Sequence, residues 1–305
     1  MSLLVVGSVA LDSVETPHET RERILGGSAS FFSVVASLIT PVRLVAVVGE
    51  DFPDEHLELF RQRKVDIQGL KREKGKTFFW RGRYLDNMVD RETLDTQLNV
   101  FEKFEPVLPD AYKDSEYVFL ANIDPRLQLQ VLGQIRDPKF VACDTMNFWL
   151  SGESRKIFEE VLKSVDLLFL NDEEARLLSG EHSLVKAAAA IRKKGVGQVI
   201  VKRGDAGAQL YDEYGVFLAP AFPLENVVDP TGAGDSFAGG FMAYLAYTDR
   251  FDSATIRRAM IFGSAMASFA VEAFSVDRFR KLDRDTLLER CCSFRKLVEF
   301  EDVNL

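Results

Sequence analysis

Val228-Asp229-Pro230-Thr231-Gly232-Ala233-Gly234-Asp235-Ser236-Phe237 reads as the mouth of a helix. Phe237, Phe241, Tyr244 and Leu245 fall at i, i+4, i+7 and i+8, four apolar side chains on one helical face. Gly232-Ala233-Gly234 therefore stands at the helix entrance. Small residues there let unpaired backbone N–H groups approach an anion, and the helix dipole favours it. Asp235 falls in the first turn, beside that anion. A carboxylate so placed can take the proton of an attacking hydroxyl while the turn steadies charge on a transferring phosphoryl group. A structural reading stays open, because an Asp at a helix start commonly caps it. The dipole should also hold the Asp235 carboxyl low, and phosphoryl transfer tolerates so weak a base because its transition state is loose. The segment is neither GxxxxGK[ST] nor GxGxxG, so neither a P-loop nor a dinucleotide fold is indicated.

Outward from this segment, short runs rich in Val, Leu and Phe alternate with helix-patterned stretches. The runs are Leu3–Val6, Val42–Val48, Tyr117–Leu120, Phe140–Cys143, Leu167–Leu170 and Val199–Val201, each bounded by Gly, Asp, Asn or Pro as buried parallel strands are. Helices are expected between them at about 28–38, 54–63, 126–134, 154–163, 172–178 and 184–194. The alternation predicts an α/β fold, a mostly parallel sheet with helices on both faces. Two regions interrupt it, at about 13–25 and 77–98. The second contains Thr77-Phe78-Phe79-Trp80-Arg81-Gly82-Arg83-Tyr84-Leu85 before an Asp86-Asn87 turn signal. They predict antiparallel strands and hairpins inserted in the body as a small lid over a site, or else an edge extension of the main sheet. With no internal repeat or linker, residues 1–305 read as a single domain.

Composition narrows the function classes. Lys plus Arg number 38 against 47 Asp plus Glu, a net charge of −9, with no basic block, so nucleic-acid binding is not expected. No run of 18 apolar residues and no basic-then-apolar leader appears, so neither membrane insertion nor secretion is expected. Three cysteines, Cys143, Cys291 and Cys292, make no disulfide framework and point to a reducing cytoplasm. The three histidines are scattered without metal-ligand spacing.

Four motifs then occur in an order that carries a resemblance. Gly26-Gly27-Ser28-Ala29, Asn171-Asp172-Glu173-Glu174, Lys202-Arg203-Gly204-Asp205-Ala206-Gly207-Ala208 and Asp229-Pro230-Thr231-Gly232-Ala233-Gly234-Asp235 resemble the signatures of the ribokinase-like family, also called PfkB carbohydrate kinases. Their order and approximate spacing agree over roughly residues 3 to 275. The resemblance implies a three-layer α/β sandwich with a small β lid, and an ATP- and Mg²⁺-dependent phosphotransferase. Its acceptor would be the hydroxymethyl group of a sugar or similar small molecule. It implies Asp235 as catalytic base and Gly232, Ala233 and Gly234 as an anion hole. Asp229 and Thr231 stand where many members hold a monovalent cation such as K⁺. Glu174 would help hold hydrated Mg²⁺, for which one carboxylate suffices. Asn171, Lys202, Gly204 and Gly207 would line the nucleotide, and Ile261–Val271 would lie beside the adenine. Asp12, with Gly26 and Gly27, would bind acceptor hydroxyls.

Each has a structural alternative. Asn171 with Glu174 makes a capping-box pair, and Gly204 with Gly207 suits a hairpin turn. Asn122, Asp144 and Asn147 follow strand candidates, at the sheet edge where ligands collect, or are turn residues. Many sugar kinases of the family carry Asn where this chain has Phe31, which favours a more apolar or aromatic acceptor. Arg81 and Arg83, two apart, share a face and could meet a phosphorylated acceptor. A nucleoside kinase of the same fold is therefore the first rival, and a non-catalytic small-molecule-binding regulator the second. Open lid edges could also pair two copies as a homodimer.

Overall fold

The computed structural model describes residues 1–299 and Glu301, so positions 300 and 302–305 of the expected 1–305 domain lie outside the described residues. In chain order it runs β1 (Leu3–Val6), β2 (Ala10–Glu15), β3 (Thr20–Gly26), α1 (Ser28–Ala36), β4 (Val42–Gly49), α2 (Asp54–Gln62) and β5 (Val65–Glu73). Then come β6 (Phe78–Tyr84), β7 (Arg91–Gln97), β8 (Tyr117–Leu120), α3 (Pro125–Leu132), β9 (Phe140–Asp144) and α4 (Gly152–Val161). The chain continues through β10 (Leu167–Asn171), α5 (Asp172–Ser179), α6 (Leu184–Arg192), β11 (Gln198–Lys202), β12 (Ala208–Asp212) and β13 (Gly215–Ala219). It finishes with α7 (Ala233–Thr248), α8 (Ser253–Ala270), α9 (Asp277–Arg280) and α10 (Arg284–Val298).

Nine strands form one sheet in the order β13-β12-β11-β10-β9-β8-β1-β4-β5, and only β12 and β13 run antiparallel to their neighbours. The short apolar runs become strands because both sheet faces are covered. Leu3, Val5, Phe119, Ala142 and Phe169 point to one side and join α1, α7 and α8 in the larger core. Leu4, Val6, Val118, Leu120, Val141 and Leu168 alternate to the other side and pack on α3 to α6. This period of two with no polar face is what continuous apolar runs encode. The result is the expected three-layer α/β sandwich.

The two interrupting regions come together as a second sheet, β3-β2-β6-β7. Its β2–β3 and β6–β7 pairs are antiparallel hairpins, but β2 pairs with β6 in parallel, Asp12 opposite Trp80. Two hairpins far apart in sequence thus share one sheet, separate from the main one. That register puts Asp12, Val14, Trp80, Gly82 and Tyr84 on one face, and Ser13, Glu15, Arg81 and Arg83 on the other. No described helix is long and apolar enough to cross a membrane.

Candidate active site

From β1 the chain builds outward to β4 and β5, then returns to β1's other side at β8 and continues to β11. The order reverses at β1, and in open α/β sheets ligands bind beyond the carboxyl ends of strands at such a point. Asp12 follows β1, Asn122 follows β8, and Asp144, Asn171 and Lys202 end β9, β10 and β11. Parallel pairing therefore brings five sequence-distant polar residues to one edge.

Helix α7 opens at that edge. Gly232 is its N-cap, at φ +75 where a side chain is strained, and Asp235 lies in the first turn. Ala233 donates its N–H to the Pro230 carbonyl at 3.2 Å, and the Gly234 N–H has no acceptor among the described residues. Burial, then the Asp144 carboxylate, push the Asp235 carboxyl up to about 7, against the pull of Lys202 and Arg91. The dipole-lowered acid expected from the helix start is overridden because desolvation in the crevice outweighs the helix terminus.

Lys202 reaches from β11 to Asp144 on β9, Nζ to Oδ2 at 2.6 Å, in a pair whose side chains are 20% and 4% exposed. A Cβ at position 234 would stand 3.2 Å from that ammonium, so Lys202 packs on the first turn of α7. Beneath them, Asn171 and Glu174 form the capping box: Asn171 Oδ1 accepts the Glu174 N–H at 2.8 Å, and Glu174 Oε2 accepts the Asn171 N–H at 2.7 Å. Glu174 is 6% exposed at the crevice. Burial pushes its carboxyl up to about 7, Lys202 drawing it down and Asp144 adding to the rise. Gly204 and Gly207, at φ +56 and +80, turn the chain between β11 and β12 at the same edge, where residues 203 to 206 are exposed.

Across the crevice, Asp12 is 5% exposed on the inner face of the small sheet. Its carboxyl occupies the space a Gly26 side chain would take, only 2.0 Å from the ideal Cβ, so glycine there makes room for the acid. Burial raises Asp12 to about 7; Asp229 and Asp235 add to this, while the Gly27 N–H and Arg91 oppose it. Gly27 holds φ +91 at the entry of α1. Asn122 is held from behind, its Oδ1 accepting the Trp149 indole N–H at 3.0 Å. Asp229 is 1% exposed, accepts the Thr231 N–H at 2.9 Å and the Ser275 N–H at 3.4 Å, and has no cationic side chain paired with it among the described residues. Thr231 donates its hydroxyl to Tyr84 at 3.3 Å, tying the loop before α7 to the small sheet.

Two expectations change, and one residue is added. Phe31 does not face the acceptor side: it is 2% exposed in the main core, and its ring lies 2.4 Å from where a Gly232 Cβ would sit, wedged under the turn. Arg81 and Arg83 both pair with Glu15 on the face opposite Asp12, so they do not meet an acceptor beside it. Arg91, not singled out from the sequence, bears on Asp12, Glu174 and Asp235 and stacks 5.6 Å over the Trp80 ring. Only the register of β7 with β6, which sets Arg91 opposite Tyr84 on the inner face, reveals it.

Comparison with known proteins bears on the family and the fold. The family model described as "pfkB family carbohydrate kinase" matches residues 2–280. A cytidine kinase of Thermococcus kodakarensis is 32% identical over 251 residues, 80% of this chain and 88% of that protein. A nucleoside kinase of Methanothermobacter thermautotrophicus is 30% identical over 295 residues, 88% and 89% of the two chains. A putative ribokinase II of Escherichia coli, solved with ATP and Mg²⁺, superposes with a TM-score of 0.79 at 22% identity over 97% of this chain and 99% of its own. At that identity the likeness speaks for the fold. A match over nearly the whole length, on a sandwich whose carboxyl edge gathers these acids and cations, makes the chain a kinase of the PfkB carbohydrate kinase family.

Proposed function

We propose that the chain moves the γ-phosphoryl group of ATP to the primary hydroxyl of a nucleoside, with a free sugar as the alternative acceptor. The observation that carries this reading is the Asp235 carboxyl: pushed to about 7, and set on the turn that also presents the Gly234 N–H, without an acceptor among the described residues, and the Lys202 ammonium. A base with that pKa is half ionised near neutrality and can accept a proton that an ordinary Asp would hold poorly. In the reaction the acceptor oxygen bonds to phosphorus as the bond to the ADP oxygen breaks, and the hydroxyl proton passes to Asp235. The Gly232–Gly234 turn and Lys202 receive the charge of the moving group. Asp12, opposite, accepts hydrogen bonds from acceptor hydroxyls and fixes which oxygen faces Asp235, with Gly26, Gly27 and Asn122 around it.

ATP lies along Asn171, Lys202 and the Gly204–Gly207 turn in this reading. Glu174 keeps Oε1 free of hydrogen bonds among the described residues, and its raised carboxyl marks a negative charge without enough compensation, which suits a hydrated Mg²⁺. A Mg²⁺ held by Glu174 would supply positive charge against the phosphates. Asp229 is likewise buried without a counter-cation among the described residues, which fits a monovalent ion such as K⁺ held with Thr231 beside the turn. We read the small sheet as a lid on one catalytic domain, its closure keeping water from competing as acceptor.

A nucleoside is favoured over a free sugar by the lid's inner face. Trp80 and Tyr84 join Val14, Ile24, Met88, Val228 and Phe274 in a small apolar cluster next to Asp12, a surface that suits a planar base. The cytidine and nucleoside kinases named above support the same acceptor class. The test is ADP release with ATP–Mg²⁺ over cytidine, other nucleosides, ribose, inositol and sugar phosphates. Nucleosides are expected to turn over at least tenfold more efficiently than free sugars. The reverse order would replace the acceptor, and ATP binding with no turnover of any acceptor would support a regulator.

A further inference from the structure

The Lys202–Asp144 pair raises a physical question. A cation at a helix N-terminus is unfavourable, since the first turn already carries partial positive charge. Yet the Lys202 ammonium packs on the first turn of α7, at a site only one-fifth exposed. It reaches there from β11, passing beyond the end of β10 to a carboxylate on β9, two strands away. A lysine stem has rotamer freedom to lose, and Glu174 and Asp235 offer competing carboxylates nearby. Something must decide which acid it holds.

Asp144 is built to decide it. Its Oδ1 accepts the Thr145 N–H at 2.8 Å, which fixes the carboxyl plane. Its backbone carbonyl accepts Gln128 Nε2 at 3.1 Å, and the same amide donates to the Ala121 carbonyl at 3.1 Å, tying the ends of β8 and β9 together. Gln128 is fully buried. Asp144 Oδ2 is thus a fixed acceptor on a braced strand end, and it takes one of three ammonium N–H groups. The structure assigns no acceptor to the other two among the described residues.

We propose that Asp144 is a positioning residue: it pins the Lys202 ammonium against the first turn of α7, leaving two N–H groups for the oxygens of the transferring phosphoryl group. The inference rests on the phosphate site proposed above. Asp144 touches neither substrate nor the reacting atoms; it acts through Lys202. Without it, Lys202 swings to Glu174 or Asp235, removing a phosphate donor and engaging the base.

A double-mutant cycle tests this. Lys202→Met should lower kcat about 10²-fold, the cost of losing one donor to developing charge. Asp144→Asn should lower kcat to a similar degree, with KM for the acceptor within twofold, because the acceptor is held across the crevice by Asp12. The double variant should be no worse than Lys202→Met alone within threefold. Losses that multiply towards ~10⁴-fold would show that Asp144 acts independently of Lys202 and overturn the proposal. Melting curves identify variants that fail to fold, and Asp144→Ser then replaces Asp144→Asn. A damaged Lys202→Met beside a normal Asp144→Asn overturns this inference alone, whereas a normal Lys202→Met overturns both it and the phosphate site.

Discussion

Asp235→Asn should make the protein more stable while removing its turnover. The Asp235 carboxyl is raised from 3.8 to about 7 by burial and by Asp144. A carboxyl whose folded pKa lies above its unfolded value binds its proton more tightly in the native state. Native stability therefore falls as pH rises from about 4 to 7, and the full cost of ionisation is present above that window. At about 1.4 kcal/mol for each pH unit the cost reaches roughly 4 kcal/mol. The side chain is partly exposed, and solvent screening reduces this to about 2 kcal/mol. Replacing the acid by its neutral isostere removes the cost. At pH 8 the variant should melt about 4 °C above the wild type, at about 2 °C for each kcal/mol in a chain of this size. The gain should vanish at pH 4, where both proteins carry a neutral group. The assay is a melting curve by circular dichroism at several pH values, paired with ADP release. A variant that melts no higher at pH 8, or gains equally at pH 4, would refute the electrostatic reasoning. Turnover within tenfold of wild type would remove Asp235 as the base.

Two further substitutions probe the neighbouring residues. Gly26→Ala would put a methyl 2.0 Å from the Asp12 carboxyl carbon without requiring a left-handed backbone, so the acid must turn away. KM for the acceptor should rise at least about tenfold while KM for ATP stays within twofold; steady-state kinetics decide, and an unchanged acceptor KM would remove Asp12 from the acceptor site. Phe31→Ala empties the space under Gly232 and should cost about 3–5 kcal/mol, read by chemical denaturation. A loss below about 1 kcal/mol would show that the ring is not a wedge.

The fold was legible wherever one rule governed a segment. Leu3–Val6 and Tyr117–Leu120 come out as strands with the expected bounds, because a run this short, apolar at every position and bounded by breakers, suits a sheet covered on both sides. Val65–Glu73 was missed as a strand because it mixes Val and Ile with Asp, Gln, Lys and Arg; as an edge strand it pairs only with β4. The hairpins were legible as hairpins, but their parallel junction through β2 and β6 was not. The two segments lie more than sixty residues apart, and nothing local encodes which edges meet.

The sequence by itself determined the helix mouth at Gly232, the alternation that builds a covered sheet, and four motifs whose order names a family. These depend on local spacing and small-residue chemistry, which the chain carries wherever it goes. Tertiary structure alone decided that Phe31 serves the core, that Arg81 and Arg83 turn outward to Glu15, and that Arg91 turns inward. It alone decided that the Asp235 carboxyl titrates high. Register selects the face a strand residue occupies, and burial sets the cost of charge; both are properties of the packed neighbourhood and of no single segment.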